Sequence, residues 1–441
     1  VSRAADSTER PDTSPSAPPT KHYEPLGRPF NRLWIGSTTS ALGDGLMFSA
    51  LPLLAASLSH DPRVVSLLEA ASAVPWLIFG LHAGVIADRL DHRRVMYVTD
   101  ILRLVTVGIL AALVAFGGLS VASLLALVFV LGTLGTVFGS ASPAMVPSLV
   151  PKESLARANA RIAGSGTTAR GFIGPVAGSV LFGFIAWLPF LLNALSFGAS
   201  ATAVAGLPRH DRPREPANRQ KMSAAARDGV RWIYRTRQVR VLALATALLS
   251  IATAAFMGCF VLFVLLTLHL PQFAYGILIA VFACGGLSGS FVAASTSRRL
   301  GLRWTALLSA FLGGVLFIGI GAVPVWPVTA LCLLLLGVVT MVWNISTVTM
   351  RQTVTPRSML GRVSSLFGMI GVGTGVIGAP VGGLIAKELG LPTAFIMAGG
   401  LGLIASLTIM LWYPADAGSA SPGSEAPVDS TDTASTQEAT R

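Results

Sequence analysis

Charge is what this sequence has least of. Charged residues make up 12% of its 441 positions, about half the usual share of a soluble chain. With 53% of the residues hydrophobic, a polar water-facing surface cannot be built, and a soluble globular fold is excluded. Cysteine is nearly absent. Cys259, Cys284 and Cys332 fall in apolar stretches without ligand spacing, which argues against a disulfide framework or a cysteine metal site and leaves them as small packing residues. The six histidines are scattered, so no metal centre is expected. Lysine occurs at Lys21, Lys152, Lys221 and Lys387 alone, never followed by Ser or Thr. Without a phosphate-binding loop, ATP hydrolysis is excluded, and no cofactor is expected. A membrane enzyme would need a cluster of His, Cys or carboxylates at the interface, and none is found.

What is present is apolar length. A helix needs about 20 apolar residues to cross a bilayer, and twelve candidate spans occur, near 33–57, 64–87, 95–117, 121–145, 160–184, 187–207, 241–268, 272–296, 304–323, 326–349, 363–386 and 392–413. Residues 1–28 and 414–441 are rich in Ser, Thr, Pro and charge and read as disordered tails. The net charge of +12 is topological. With both ends on one side, alternate loops hold 22 basic residues and the opposite loops only Arg63 and Lys387. The positive-inside rule then puts both termini in the cytoplasm of a multi-pass cell-membrane protein. The first span is expected to serve as its own insertion signal. The surplus is no footprint of nucleic acid.

One offset recurs along the chain. Adding 205 carries Gly84 onto Gly289, Arg93-Arg94 onto Arg298-Arg299, Pro151 onto Pro356, Arg157 onto Arg362, Pro175 onto Pro380 and Gly178 onto Gly383. The expected architecture is all-α, two six-helix bundles (29–207 and 241–413) related by a parallel pseudo-repeat around a central cavity. Residues 208–240 join them and include a short helix expected on the inner membrane surface, around Asp228–Arg235.

Asp88 stands where the second span ends, facing the negative end of its own helix dipole. It needs another partner, an arginine or a helix N-terminus of the other half, and a contact of that kind would be a conformational latch. The alternative is an ordinary loop of topogenic charges. Gly84, Asp88, Arg89, Arg93 and Arg94 resemble the loop 2–3 signature of the major facilitator superfamily. Gly174, Pro175 and Gly178 resemble its fifth-helix antiporter motif. Leu42-Gly43-Asp44, the Pro147…Pro151…Ala158-Asn159 run and the Arg351-Gln352…Pro356…Gly361-Arg362 run resemble its drug and siderophore efflux branch, which includes macrolide-efflux proteins and an enterobactin exporter. The chain departs from the pattern at Asp91 and His92, at Ser179 in place of a glycine, and at Ala293 opposite Asp88. The resemblance implies two bundles rocking around a central cavity.

Pro175 removes a backbone bond and the glycines admit a close neighbour, so the fifth span is expected to form a tight, bent seam between the halves. Five ionisable residues lie at membrane depth: Asp44, Glu69, Asp100, Arg103 and Arg170. Each costs roughly 2.5–3.5 kcal/mol at the bilayer centre unless paired or wet. Asp44 and Arg170 fall near mid-span on helices that the implied fold turns to the cavity, and are expected to pair with each other or to share a substrate. A buried carboxylate released by protonation is a ready proton carrier. Glu69 is expected at an outer gate or in water, and Asn344 beside Trp343 in the cavity. Asp100 and Arg103, three apart, form a structural ion pair expected to brace the 84–94 loop. The function expected is proton-driven antiport exporting a small amphipathic molecule, with multidrug resistance as a phenotype; the alternative is an importer or facilitator. Partners are then the substrate, protons and lipid, with a monomer sufficient to enclose the pathway.

Overall fold

The computed structural model describes residues 26–208, 222–356 and 359–414, with the side chains of 81–89, Ala144 and 222–226 outside that description. The terminal stretches expected as tails lie largely outside the described residues. Among the described residues the secondary structure is all helical. Helices α1 (Gly27–Leu58), α2 (Pro62–Arg89), α3 (His92–Ala115) and α4 (Val121–Met145) come first. Next, α5 (Leu155–Thr168) runs through a π turn, Ala169–Ile173, into α6 (Gly174–Phe184), followed by α7 (Leu188–Ala205). The connecting helix α8 (Met222–Arg235) leads to α9 (Arg237–Leu262), whose end is a second π turn, Phe263–Thr267. Then follow α10 (Gln272–Leu300), α11 (Leu302–Ala322), α12 (Trp326–Val354), α13 (Leu360–Leu389) and α14 (Leu391–Trp412).

Among the described residues, eleven helices are long and apolar enough to cross a membrane. The run 155–184, within which a further span was expected, is divided by its π turn into two shorter helices. The division has a local cause. Pro175 has no N–H to give and its ring crowds the preceding turn. The chain widens there, and Gly174 N–H reaches back five residues to Ala169 O. The simple proline kink expected of this span is therefore a π turn.

Pairing within the halves follows one pattern. α2 packs on α4 as α10 packs on α12, and α3 packs on α7 as α11 packs on α14. Close approach needs glycine. A Cβ on Gly132 would lie 2.8 Å from Ser72 O of α2, and one on Gly337, 205 positions on, would lie 2.1 Å from Phe282 O of α10. Lipid tails are as apolar as leucine, so packing of small residues, more than expulsion of water, holds such pairs together. Arginines tie off helix ends in both halves. Arg93 donates to Ala205 O at the end of α7, and Arg303 to Met410 O in α14 at 2.9 Å, where a cation offsets the negative end of a helix dipole. Gly301 (φ +79°) and Gly390 (φ +92°) are one-residue links between helices, in a region of backbone space costly for any other residue.

The halves meet unevenly. At the end carrying loops 59–61, 185–187, 269–271 and 323–325, one continuous apolar core takes in Leu53, Phe182 and Phe190 of the first half and Phe256, Phe260 and Phe395 of the second. At the opposite, basic end each half keeps its own core: Phe30, Leu33 and Met96 in one, Leu242, Phe367 and Ile409 in the other. Among the described residues the buried apolar core is thus continuous across the halves at the short-loop end and separate in each half at the basic end. The helix expected in the connector is present as α8 and packs on α9 and α13, with Arg362 Nη1 3.7 Å from Asp228 Oδ2.

Candidate functional site

Helix α1 carries Asp44 between two glycines, and both have a use. A Cβ on Gly43 would come within 2.3 Å of Asn193 Oδ1 on α7, and one on Gly45 within 2.8 Å of Ala169 O in the π turn. The helix is therefore wedged between α7 and the π turn, and Asp44 is held where they converge. Its Oδ2 accepts from Arg170 Nη2 at 2.8 Å, and its Oδ1 lies 3.7 Å from Arg103 Nη2. Arg103 reaches on to Asp100 Oδ1 at 3.9 Å. The guanidinium of Arg103 also lies over the rings of Phe197 and Phe138, at 4.4 and 5.3 Å from their centroids. A buried cation between two carboxylates and two aromatic faces is well compensated.

The four groups form an alternating line, Asp100, Arg103, Asp44, Arg170. It runs from a fully buried carboxylate to a guanidinium 61% exposed. Arg103 thus does more than pair with Asp100, while a brace from it to the 84–94 loop would fall largely on side chains outside the described residues. Among the described residues its ion-pair partners are Asp44 and Asp100, because the α3 face carrying it turns into the bundle. Spacing in sequence showed the Asp100–Arg103 pair but not that Arg103 would cross to α1.

Glu69 and Asn344 lie elsewhere in the site and share a cavity of about 470 Å³, lined by α2, α9, α11, α12 and α13. Glu69 comes from the first half and Asn344 from the second. Both are exposed in the cavity wall, as are Thr253 and Thr340. Trp343 and Phe317 supply aromatic surface. Glu69 has no ion-pair partner among the described residues.

The fifth-span motif divides its work in a way the sequence did not show. A Cβ on Gly174 would lie 2.5 Å from Gly45 Cα, and one on Gly178 would lie 2.2 Å from Leu46 O. Both glycines therefore seat the span on α1 of their own half. The seam between the halves is made by the neighbouring face. A Cβ on Gly276 of α10 would lie 2.2 Å from Pro175 O, and Ser179 Oγ donates to Phe273 O at 3.2 Å. Ser179, a departure from the family pattern, is thus a contact across the halves. A second crossing stands at the short-loop end. Asp61, before α2, lies 3.5 Å from Lys387 Nζ on α13 while receiving both backbone and guanidinium of Arg63. Beneath it a Cβ on Gly383 would meet Pro62 O at 2.7 Å.

Of the 84–94 residues, α2 carries Gly84, Asp88 and Arg89 to its end, but their side chains lie outside the described residues. Asp91 caps α3 by accepting from Arg93 N at 3.0 Å. Arg93 binds the end of α7, and Arg94 is exposed. Among the described residues no three His, Cys, Asp or Glu side chains gather as a metal ion would need.

The sequence matches the transmembrane secretion effector family over residues 20–432. It is 27% identical over 397 residues to the enterobactin exporter EntS of Citrobacter koseri, covering 87% of this chain and 91% of that protein. To the enterobactin exporter EntS of Shigella boydii it is 29% identical over 392 residues, covering 85% and 89%. The fold is similar to that of the nucleoside transporter NupG (TM-score 0.72, 12% identity, 87% of this chain and 98% of that one). It is also similar to a bacterial homologue of the iron transporter ferroportin in an inward-facing state (TM-score 0.70, 17% identity, 88% and 99%).

Proposed function

The chain belongs to the transmembrane secretion effector family of the major facilitator superfamily, and from that premise we propose that it exports a small amphipathic molecule across the cell membrane by proton antiport with alternating access. The observation that carries the reading is the cavity bounded by both halves, with Glu69 on one wall and Asn344 on the other. A site so placed can be presented to either side by rocking one half on the other, without moving the residues that line it. The halves joined at the short-loop end and parted at the basic end would be one of the two states, open to the cytoplasm if the basic loops face inward.

Coupling is assigned to Asp44. While charged it holds Arg103 and Arg170 together; protonation removes that hold and frees Arg170 to leave. Glu69 and Asn344 contribute to the substrate wall. Gly84, Asp88, Arg89, Arg93 and Arg94 form the latch at the basic end, and Gly174, Pro175 and Gly178 keep the fifth span seated during the exchange. The proton gradient supplies the energy, since one charge crossing 100 mV is worth about 2.3 kcal/mol. A monomer suffices.

The resemblance of sequence to named exporters favours the outward direction. The second reading is an importer or facilitator on the same fold. Efflux from energised cells, with and without a protonophore, in wild type and Asp44→Asn, separates them. Concentrative export lost to both treatments supports proton antiport through Asp44. Export that survives Asp44→Asn removes that residue from coupling. No active movement in either direction leaves a facilitator.

A further inference from the structure

We propose that the cavity shared by Glu69 and Asn344 binds a monovalent organic cation, with Glu69 as its counter-ion and Trp343 as its aromatic wall. The inference rests on reading this cavity as the transport pathway, and goes beyond it by fixing the charge class of the cargo.

Charge accounting at mid-depth leads to it. Around Asp44 the signs cancel, two carboxylates (Asp44, Asp100) against two guanidinium groups (Arg103, Arg170), each within 4 Å of an opposite charge. Glu69 is outside that cluster. Among the described residues it is the one ionisable residue lining the cavity, and the other polar groups there are neutral, such as hydroxyls and the amide of Asn344. A carboxylate in a confined site of low dielectric is poorly solvated by hydroxyls, and a bound cation would compensate it. An anionic cargo would face the same carboxylate as a repulsion with no cation in the wall to offset it, which is how a site rejects the wrong partner.

The remaining surface fits the rest of such a molecule. A volume of about 470 Å³ lies in the range of drug-sized ligands. Trp343 and Phe317 offer ring faces, which attract a cation carried on an apolar body. Met257 is an adaptable neighbour in the same wall. Thr253, Thr340 and Asn344 can accept from an N–H beside the charge.

The test is equilibrium binding of radiolabelled tetraphenylphosphonium to the purified full-length chain, with competition by an anionic aromatic dye and an uncharged aromatic of similar size. Saturable binding to wild type is expected, weakened at least about tenfold by Glu69→Gln and largely retained by Glu69→Asp. The anionic dye should compete poorly. Glu69 is exposed to the cavity and has no ion-pair partner to strand, so Glu69→Gln should keep the wild-type melting temperature, which is measured alongside. Equal binding to wild type and to a folded Glu69→Gln would overturn the proposal, as would tighter binding of the anionic dye. If tetraphenylphosphonium does not bind while energised cells still export another compound, the charge class is wrong and the export reading stands. If Glu69-dependent binding is found without any export, the cation site stands and the export reading fails.

Discussion

Asp44 Oδ2 and Arg170 Nη2 lie 2.8 Å apart across 126 positions of sequence, and the same carboxylate has Arg103 at its other oxygen. The two arginines differ in what they lose if it goes. The side chain of Arg103 is 11% exposed and that of Arg170 61%. Asp44→Asn therefore leaves the buried Arg103 with Asp100, at 3.9 Å, as its remaining carboxylate partner, a loss on the order of 3 kcal/mol. Arg170→Ala removes an exposed partner and should cost about 1 kcal/mol or less. Melting temperatures in detergent should rank Arg170→Ala well above Asp44→Asn, and the reverse order would show that Arg103 is compensated elsewhere.

Seating of the fifth span on α1 depends on the absence of a side chain. Gly178→Ala places a Cβ against Leu46 O, a backbone atom that cannot turn aside, and should destabilise by about 1–3 kcal/mol. Gly164→Ala, one span-half away, meets nothing within 4 Å and should be neutral or slightly stabilising. Thermal unfolding of the two variants checks the contrast.

The short-loop end is held across the halves by Asp61 and Lys387. The double variant Asp61→Cys with Lys387→Cys, oxidised to a disulfide, should stop transport and recover on reduction. Continued turnover in the cross-linked protein would mean that this end need not open.

The same pair should be insensitive to ordinary acidity. Hydrogen bonds from the Arg63 guanidinium and backbone hold the Asp61 carboxyl well below the usual carboxylate range. A depressed value favours the charged form, so the bridge's contribution is complete above the ordinary carboxylate pKa of about 3.9. It is lost only as pH falls through the lower, folded value. The distance between spin labels placed beside residues 61 and 387 should not change between about pH 5 and 8. A change inside that window would assign the pH response to this end and not to mid-depth.

Closing of that end also needs Gly276. Its replacement by valine would push a side chain into Pro175 O across the halves and should part them there. Thiol labelling of a reporter cysteine at 272 should rise several-fold, while Gly286→Ala, whose Cβ would sit 4.0 Å from its neighbours, should label as wild type.

Much of this was legible in the residues. Runs of apolar residues gave the spans because a bilayer admits no irregular backbone exposed to lipid, and the cost of charge at depth singled out Asp44, Glu69, Asp100, Arg103 and Arg170. Gly43 and Gly45 beside Asp44 were a signal, not read there, that neighbours crowd α1. What pattern could not show is which face of a helix meets which neighbour once every face is apolar. Hence the reach of Arg103 across to α1 was not seen, Gly174 and Gly178 were assigned to the seam between halves when Pro175 and Ser179 make it, and the Asp61–Lys387 crossing went unread.

All five ionisable residues at membrane depth belong to α1, α2, α3 and the π turn, so the first half carries them and the second presents neutral walls. Such a division separates two kinds of change. Substitutions in α9, α11, α12 and α13 can reshape the bound molecule's surroundings without disturbing the charges on which energy conversion would depend. A new cargo is then within reach of a few mutations in one half, and an exchange of second halves between relatives would be a direct way to move specificity while leaving the driving reaction in place.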